Sequence, residues 1–530
     1  MPMSLSHKSV KKHNKKLPAN VTKNKILDFF GNQGTSSKIG KKARKCGFVK
    51  RKGSFQPTKF AQAVITAVGS SDTPESLSKI CELYNVNFEG KMQIKPFWNR
   101  MSSDECVDFF EYILEQSERT HNDVSQKCAY AEGEELIQLF QKKGLPIEDI
   151  YLYDGSYWKL KSELADVYQG TRSQTKIKVC EGIFDEAGDV CFDEVKDAGI
   201  GLQTKMSMKT GAIKTAVLTA ETANEKSFVE VPGKDDSKAL MLMDSGYFSL
   251  NLLKDIDTNG SFYITKGRKN CAAVISDCRT WGTYRKIAPK AEEYNGMKVS
   301  DALIMIRQNK QNIDFTATFK TGLSVRMVAF YSKEKNETVL LVTNINHEIL
   351  APKLVTNAYR VRWQCELCFK NLKSGSGLRF SKCTTNLNIL RVLIMSSLCA
   401  YFLKNIAANF LSRMLKNISF WKIHVKPSWF NDFVKAFFNC NLEKLHDILK
   451  TLKSRSTFVT KSRQSFKKEL EHRTLNSVLQ SIRESLMEPI INEENLQYVV
   501  FLYTLFYFYL IINSCCSRSG FQPDGSFFRG

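Results

Sequence analysis

The segment NAYRVRWQCELCFKNLKSG, residues 357–375, carries the most informative pattern in a chain of 530 residues. Its key side chains recur at steps of three and four residues, so they share one face of a helix: Tyr359, Arg362, Glu366, Phe369 and Lys373. A stripe at this spacing is normally apolar core, whereas this one carries a phenol, a guanidinium, a carboxylate and an ammonium. The alternative is a solvated face, in which an Arg362–Glu366 pair stabilises the helix by only about 0.3–0.5 kcal/mol.

Two carboxylates earlier in the chain end predicted strands. Asp154 lies in IYLYDGS and Asp244 in ALMLMDSGYF. Taken alone, each is more typical of a turn or cap, because Asp side chains hydrogen-bond to nearby backbone groups there. The helix with Glu366 follows the same mixed sheet and can bring a third carboxylate to them. Three carboxylates at one point repel one another unless cations neutralise them, and Mg²⁺ is the hard cation that prefers such oxygens. Two ions about 3.5–4 Å apart can activate a nucleophile and stabilise the leaving oxygen of a phosphodiester.

The composition favours a polyanionic partner. Lys and Arg number 77 against 54 Asp and Glu, a formal net charge of +23, and 43% hydrophobic residues exclude a wholly disordered chain. Residues 1–52 hold fifteen Lys or Arg and one acid, Asp28. Such density attracts nucleic acid by counterion release, with a solvated tail as the alternative. The candidate DNA contacts in this segment are Lys41, Lys42, Arg44, Lys50 and Arg51.

Apolar spacing divides the chain into regions. Helical spacing from Thr58 to Lys143 predicts a helical domain, with a helix-turn-helix as a weaker expectation within residues 77–101. Short alternating runs after Gly144 predict a mixed α/β body, and helical patterns continue from Ala351 to about Glu494. The predicted units are a basic arm (1–52), a helical domain (53–145), a mixed α/β core (146–269 and 345–405), a β-rich block within it (270–344), a helical C-terminal region (406–498), and an apolar run with a tail (499–530).

The apolar run Val499–Ile512 is too short for a predicted membrane span. It has fourteen residues, whereas a spanning helix needs about 17–25. The 15 cysteines are an odd number, and the first residues lack the apolar core of a secretory signal. The sequence therefore predicts a cytoplasmic protein without a membrane partner.

The polar stripe resembles the signature of the DDE transposases of bacterial insertion sequences, specifically the insertion-sequence-four family, which reads Y-(2)-R-(3)-E-(6)-K. Tyr359, Arg362, Glu366 and Lys373 fit that spacing. The contexts YDGS and MDSGYF are also similar to the family, and the likeness extends from roughly Lys25 to Lys404. One departure is Lys266, which stands in ITKGRKN where the family often has Arg.

The resemblance implies an α/β, ribonuclease-H-like core with a β-rich insertion, flanked by helical regions. It also implies an enzyme that hydrolyses DNA at transposon ends and then transfers the freed 3′ hydroxyl to target DNA, as in cut-and-paste transposition. Asp154, Asp244 and Glu366 would bind two Mg²⁺ ions, for which Mn²⁺ can substitute. The implied partners are double-stranded DNA, as terminal inverted repeats and as target, and a second copy of the chain in a bacterial cytoplasm.

The resemblance also implies DNA contacts outside the acids. Tyr359, Arg362 and Lys373 would contact the phosphates of the transposon end, and Lys266 and Arg268 lie after the strand that follows the second Asp. A Trp in the β-rich insertion of relatives stacks on a flipped base. Trp281 is the candidate here, with a role as core filler as the alternative.

Three other functions are compatible with parts of the pattern. A catalytically inactive DNA-binding remnant fits the basic charge, although the acids and the stripe are intact. A related metal-dependent nuclease without strand transfer fits the acids, but the stripe argues against it. A membrane protein fits only the run Val499–Ile512 together with the positive charge.

Overall fold

The computed structural model describes residues 36–487 apart from residues 52, 54, 71–75, 128–130, 172–173, 177–192, 196, 212, 235–237, 283–288, 334–335, 379–383, 415–419, 426, 440 and 455–474. Residues 1–35 of the predicted basic arm and the run Val499–Ile512 lie outside the described residues. The chain divides into two units, Met1–Leu479 and Gln480–Gly530. The described part of the second unit is the end of the helix Leu475–Met487.

Helices form the described chain ahead of the sheet. They are α1 (Ser36–Lys45), α2 (Pro57–Gly69), α3 (Leu77–Asn87), α4 (Ile94–Met101), α5 (Asp104–Lys127) and α6 (Ala131–Gln141). Helix α2 begins with Pro57 in its first turn, where the missing N–H costs nothing. Helix α5 begins with Asp104 and Glu105, whose negative charges favour a helix N-terminus.

A mixed sheet of nine strands forms the centre of the described residues. The strands in chain order are β1 (Asp149–Lys159), β2 (Gln174–Lys176), β3 (Asp193–Val195), β4 (Gly199–Ser207), β5 (Ile213–Ala220), β6 (Ala239–Met243), β7 (Phe262–Lys266), β8 (Val274–Thr280), β9 (Ile313–Thr318), β10 (Ser324–Ser332) and β11 (Glu337–Thr343). Strands β2 and β3 pair only with each other, and the large sheet has the order β5-β4-β1-β6-β7-β11-β10-β9-β8. Strands β1, β6 and β7 run parallel, whereas the other pairs are antiparallel.

The two faces of this sheet carry different helices. Helices α7 (Leu250–Thr258) and α8 (Val299–Asn309) share an apolar core with Tyr153 and Met243. Successive strand residues point to opposite faces, so Asp154 lies on the face away from that core. The residues predicted as a β-rich insertion supply β8 to β11, and β11 pairs with β7, so they extend the same sheet.

The chain after the sheet is helical. It forms α9 (Pro352–Arg360), α10 (Trp363–Lys370), a π-helix (Asn371–Gly375), α11 (Leu387–Met414), α12 (Phe420–Val425), α13 (Phe430–Phe438), α14 (Leu442–Ser454) and α15 (Leu475–Met487). Buried residues of α1 to α5 and of α11 to α14 form one apolar core. The N-terminal and C-terminal helical regions thus pack together, because each has an apolar face that the other covers.

Helix α11 is long and apolar enough to cross a membrane at Leu387–Asn409, by length and composition only. Its most apolar window is 94% buried inside the protein. Burial of this kind is expected of a core helix, so the helix is weak evidence for a membrane span.

Candidate active site

The register of the parallel strands places both aspartates at one level. Tyr153 on β1 lies opposite Met243 on β6, and Met243 lies opposite Thr265 on β7. The next residues along the three strands are Asp154, Asp244 and Lys266. The carboxyl ends of β6 and β7 therefore meet beside Asp154. The prediction that Asp154 itself ends a strand is wrong, because β1 continues to Lys159 through its pairing with β4.

The third acid comes from a helix that changes its winding. The expected continuous helix tightens between α9 and α10, because Val361 and Arg362 donate backbone hydrogen bonds to residues three positions back. It then widens into the π-helix that contains Lys373. Irregular turns of this kind are frequent at functional sites. Here they separate the shared helix face into parts that reach different strands.

Arg362 connects two of the acids. Its guanidinium donates to Oδ2 of Asp154 at 3.0 Å and to Oε1 of Glu366 at 2.9 Å. Only 14% of the Arg362 side chain and 16% of that of Asp154 are exposed. The Arg362–Glu366 pair is thus not the solvated surface pair that sequence spacing allowed.

Two more residues of the stripe reach the same sheet edge. The Tyr359 hydroxyl donates to Oδ1 of Asp244 at 3.3 Å, and Lys373 Nζ donates to the backbone carbonyl of Tyr157 at 3.2 Å. The structure therefore brings Tyr359, Arg362 and Glu366 to the aspartates, and it places Lys373 against Tyr157, three residues after Asp154 on the same strand. The apolar member of the stripe, Phe369, is buried in the protein.

The acids influence one another through their charges. Burial raises the pKa of Asp154 to about 6, while Arg362 lowers it and the charges of Asp244 and Glu366 raise it. Burial also raises the pKa of the Tyr359 hydroxyl, which keeps that group protonated as a hydrogen-bond donor. The guanidinium of Arg362 stays charged, because the surrounding phenol and carboxylates raise its pKa despite burial.

The donor set fits a divalent cation by its chemistry. Within the described residues, no three Asp, Glu, His or Cys side chains already stand as a metal cluster. The carboxylates of Asp154 and Glu366 instead meet on one guanidinium, and Asp244 interacts with that same charge. Carboxylate oxygens are the ligands that Mg²⁺ and Mn²⁺ prefer. The three acids are thus carboxylates whose charges converge on one cationic group, and their oxygens are chemically suited to a divalent cation.

The other predicted DNA contacts lie at different distances from the acids along the sheet. Lys266 ends β7 next to the level of Asp244, and Arg268 is exposed just beyond it. Trp281 follows β8, which is an edge strand four strands from β7. Its ring lies against Phe330 with centroids 6.3 Å apart, and its indole N–H is buried without a hydrogen bond. Trp281 is therefore not brought to the acids in this structure.

The basic residues of the N-terminal segment differ in exposure. Lys41, Arg44 and Arg51 are exposed, whereas the ammonium of Lys42 lies over the ring of Tyr112. Lys50 forms an ion pair with Glu105 at 3.2 Å. Helix α1 also contributes Ile39 and Ala43 to the apolar core, so this part of the segment is anchored rather than a free arm.

Sequence reasoning did not find the polar groups behind the aspartates. Tyr157, Gln203, Glu225 and Tyr247 form a hydrogen-bonded network next to the segments that carry the two aspartates. The available signal was the glycine close to each aspartate, Gly155 and Gly246. A Cβ atom at either glycine would lie within 2.6 Å of Gln203 or Glu225.

Comparisons with known proteins agree with this geometry. The family described as a transposase DDE domain matches residues 172–403, a range that contains Asp244 and Glu366 and begins after Asp154. The transposase for insertion sequence element IS231B of Bacillus thuringiensis subsp. berliner is 23% identical over 371 residues, covering 64% of this chain and 70% of the relative. The IS231D transposase of Bacillus thuringiensis subsp. finitimus is 22% identical over 370 residues, with the same coverage. The IS1151 transposase of Clostridium perfringens is 20% identical over 368 residues, covering 64% and 71%. These similarities support a transposase with a DDE domain, of the kind that acts in insertion sequences.

Proposed function

We propose that the chain cuts DNA at the ends of a mobile element and joins the freed ends to target DNA, with Asp154, Asp244 and Glu366 as its metal ligands. The observation that carries this proposal is the meeting of two of these acids on Arg362, with Asp244 held by Tyr359 of the same helix. A structural ion pair would need only one acid. Three acids at one sheet edge, supplied by two parallel strands and one helix, favour a cation-assisted reaction.

We further propose a ribonuclease-H-like core and membership of the insertion-sequence-four family. The five strands β5-β4-β1-β6-β7 support the core, since β1, β6 and β7 are parallel, β4 is antiparallel to β1, and β5 is antiparallel to β4. The family assignment is supported by the spacing of Tyr359, Arg362, Glu366 and Lys373. The chain would be organised as a basic arm (1–52), a helical DNA-binding domain (53–145), the core (146–269 and 345–405) with its insertion (270–344), a helical C-terminal region (406–498) and a tail (499–530).

The reaction has two steps at one site. In the first, water attacks the phosphorus at the transposon end, and the bond to the 3′ oxygen breaks. In the second, the freed 3′ hydroxyl attacks a target phosphodiester, a new phosphorus–oxygen bond forms and the target's 3′ oxygen leaves. Two Mg²⁺ ions, for which Mn²⁺ can substitute, would supply Lewis-acid activation of the attacking and leaving oxygens.

The chain's own side chains orient the DNA for both steps. The planar guanidinium of Arg362 can make a two-point contact with a phosphate while it remains beside Asp154 and Glu366. The Tyr359 hydroxyl is a fixed donor, and Lys373 supplies a second positive charge on the same helix face. Lys266 and Arg268 would contact the backbone near Asp244, and Trp281 would stack on a displaced base away from the acids.

The proposed partners are duplex DNA and a second copy of the chain. The exposed residues Lys41, Arg44 and Arg51 support phosphate contacts by α1 and by the residues that follow it. The protein would bind terminal inverted repeats and target DNA as a homodimer in the bacterial cytoplasm. Each subunit would act on one of two paired ends.

Single amide variants of the acids test the proposal. Asp154→Asn, Asp244→Asn and Glu366→Gln should each abolish Mg²⁺-dependent cleavage of a duplex that carries the element's end, because an amide loses the charge but keeps the shape. Circular dichroism should show the same fold in all three. Glu348→Gln, an exposed carboxylate ahead of α9, is the control and should cleave normally.

The products distinguish the proposed function from its alternatives. Cleavage without joining to a target duplex would show a nuclease rather than a transposase. End binding without any cleavage by the unaltered protein would show an inactive DNA-binding remnant. Full activity in one of the amide variants would remove that residue from the metal site.

A further inference from the structure

We propose that Gln203 is a positioning residue that holds the two aspartate-bearing segments at a fixed separation. It lies on β4, directly opposite Gly155, and is 3% exposed. Because Gly155 is adjacent to Asp154 on β1, Gln203 lies on the sheet face opposite to the Asp154 carboxylate. Gln203 therefore does not face the reacting groups, and any effect on them passes through the strands.

The amide of Gln203 joins two tyrosines from different segments. Its Oε1 accepts from the Tyr247 hydroxyl at 2.9 Å, and its Nε2 donates to the Tyr157 hydroxyl at 2.7 Å. Tyr157 follows Asp154 on β1, and Tyr247 ends the short turn that begins after Asp244. One side chain thus connects the two segments that carry the first and second acids.

The hydrogen bond between Tyr157 and Glu225 fixes the direction of the other hydrogen bonds in this network. The Tyr157 hydroxyl donates to Oε1 of Glu225 at 2.6 Å, and a hydroxyl has only one hydrogen to donate. Tyr157 must therefore accept from the amide nitrogen of Gln203, which turns the amide oxygen towards Tyr247. Burial raises the pKa of both tyrosines, and the Glu225 charge adds to the increase, so both hydroxyls remain protonated.

The nearby glycines have a packing role in this arrangement. A Cβ at Gly155 would lie 2.6 Å from Oε1 of Gln203, and a Cβ at Gly246 would lie 1.9 Å from Oε2 of Glu225. Neither glycine has a positive φ angle. Both glycines therefore leave room for the side chains of Gln203 and Glu225, and neither is needed for an unusual backbone conformation.

The hydrogen-bonded network is also connected to the π-helix that follows Glu366. Lys373 donates to the backbone carbonyl of Tyr157, the residue whose side chain Gln203 contacts. The segments of Asp154, Asp244 and Lys373 thus meet at Tyr157 and Gln203. The link to cleavage rests on the proposed function, whereas the link between the segments does not.

The test compares Gln203→Leu with Gln311→Leu. Gln311 is a matched control, because it is equally buried, accepts from the Tyr294 hydroxyl at 2.8 Å and donates to a backbone carbonyl. In hydrogen exchange, Gln203→Leu should accelerate exchange in residues 151–158 and 244–250 together, and Gln311→Leu should not.

In calorimetric titration with Mn²⁺ alone, the Gln203→Leu variant should bind the ion about 10- to 100-fold more weakly, as is typical when support of metal ligands is lost. Cleavage should fall in kcat rather than rise in KM.

A double variant separates positioning from general stability. If Gln203 acts through Tyr247, then Gln203→Leu with Tyr247→Phe should lose no more Mn²⁺ affinity than Gln203→Leu alone, because contacting residues are not additive. If Gln203→Leu does not fold, Tyr247→Phe alone carries the test against Tyr294→Phe. Equal exchange and equal affinity in the Gln203 and Gln311 variants would overturn the inference. Absence of Mn²⁺ binding or cleavage in the unaltered protein would overturn the proposed function instead, and the exchange comparison would still decide the role of Gln203.

Discussion

At the scale of single residues, Arg362 determines how the acids are tolerated in a partly buried site. It donates hydrogen bonds to both Asp154 and Glu366, and its guanidinium carbon lies 5.8 Å from the centroid of the Tyr359 ring. Its Nε is buried without a hydrogen bond. Arg362 is therefore held by both acids, and its terminal nitrogens are the part of the group that interacts with their charges.

Replacement of Arg362 should affect stability as well as DNA binding. Removal of one member of a buried ion pair leaves a charge unpaired and costs up to about 3–5 kcal/mol. We expect Arg362→Ala to approach the lower end of that range in urea unfolding, because Glu366 is partly exposed, and to weaken binding of end DNA. Arg362→Lys should recover part of both losses, since it keeps the charge but not the two-point geometry.

The control for Arg362 is Arg279. This residue pairs with Asp277 at 2.9 Å on the surface, so Arg279→Ala should cost only about 0–1 kcal/mol. Equal losses in the two alanine variants would show that Arg362 stabilises no more than a surface pair does.

At the scale of elements, a buried ion pair ties the strand-rich region to the helix of the third acid. Arg326 on β10 makes two hydrogen bonds with Asp314 on β9, at 2.9 and 2.7 Å. Its remaining donors reach the carbonyls of Ile345 and Leu350. These carbonyls belong to the connection between β11 and α9, so one guanidinium fixes the entry to that helix.

Removal of Arg326 should be costly, and removal of both charges less so. Arg326→Met leaves Asp314, which is 2% exposed, without its counterion, and about 3–5 kcal/mol should be lost in chemical denaturation. The double variant Arg326→Met with Asp314→Leu should recover much of that loss, because no buried charge remains. A double variant as unstable as Arg326→Met would show that the carbonyl contacts dominate.

Lys404 performs a related task where several helices end. Its ammonium, buried in α11, donates to the carbonyls of Gly69, Gly375 and His424. Gly69 ends α2 and Gly375 ends the π-helix, and helix C-termini carry partial negative charge. The lysine therefore joins the N-terminal helices to the helix that carries Lys373.

Lys404→Met should destabilise the protein strongly. Three buried carbonyls would lose their donor, and each unsatisfied group costs about 1–3 kcal/mol. We expect at least about 3 kcal/mol in urea unfolding, whereas the exposed Lys142→Met should change stability by less than about 0.5 kcal/mol. A loss below about 1 kcal/mol for Lys404→Met would contradict this account.

The spacing of residue types along the sequence predicted the helices and strands better than it predicted the contacts between them. The polar stripe predicted a shared helix face, because side-chain period depends only on helix geometry, and the structure does bring Tyr359, Arg362 and Glu366 to the aspartates. The break at Val361 was not predictable, since a change from four-residue to three-residue hydrogen bonds leaves no mark on composition. Gln203 was not predictable either, because its contact with Gly155 depends on the register between two strands.

At the scale of the whole molecule, part of the basic N-terminal segment is packed into the folded protein. Helix α1 packs Ile39 and Ala43 into the core shared with the C-terminal helices, and Phe48 stacks on Phe109 at 5.0 Å. Deletion of residues 1–52 would therefore remove core residues along with charge. Surface substitutions are the cleaner test of DNA contact.

Neutralisation of Lys41, Arg44 and Arg51 by Gln should flatten the salt dependence of DNA binding. Each lost phosphate contact reduces the slope of log K against log [salt] by about 0.9 on duplex DNA, so the triple variant should lose up to about 3 from the slope with unchanged melting temperature. The control is Lys310→Gln, which neutralises an exposed lysine directly after α8. An unchanged slope in the triple variant would show that these three residues of α1 and the segment after it do not contact DNA.

The core shared by the first and last helical regions also has a consequence for synthesis of the protein. Phe60, Phe97 and Phe109 emerge from the ribosome early, but Leu393 and Phe433 of the same apolar core follow only after the whole sheet has been made. A product that stops before Leu387, through a frameshift or premature stop, leaves that apolar surface bare. Such fragments should aggregate or be degraded instead of accumulating as folded protein. Interrupted copies of the gene would then yield no stable product.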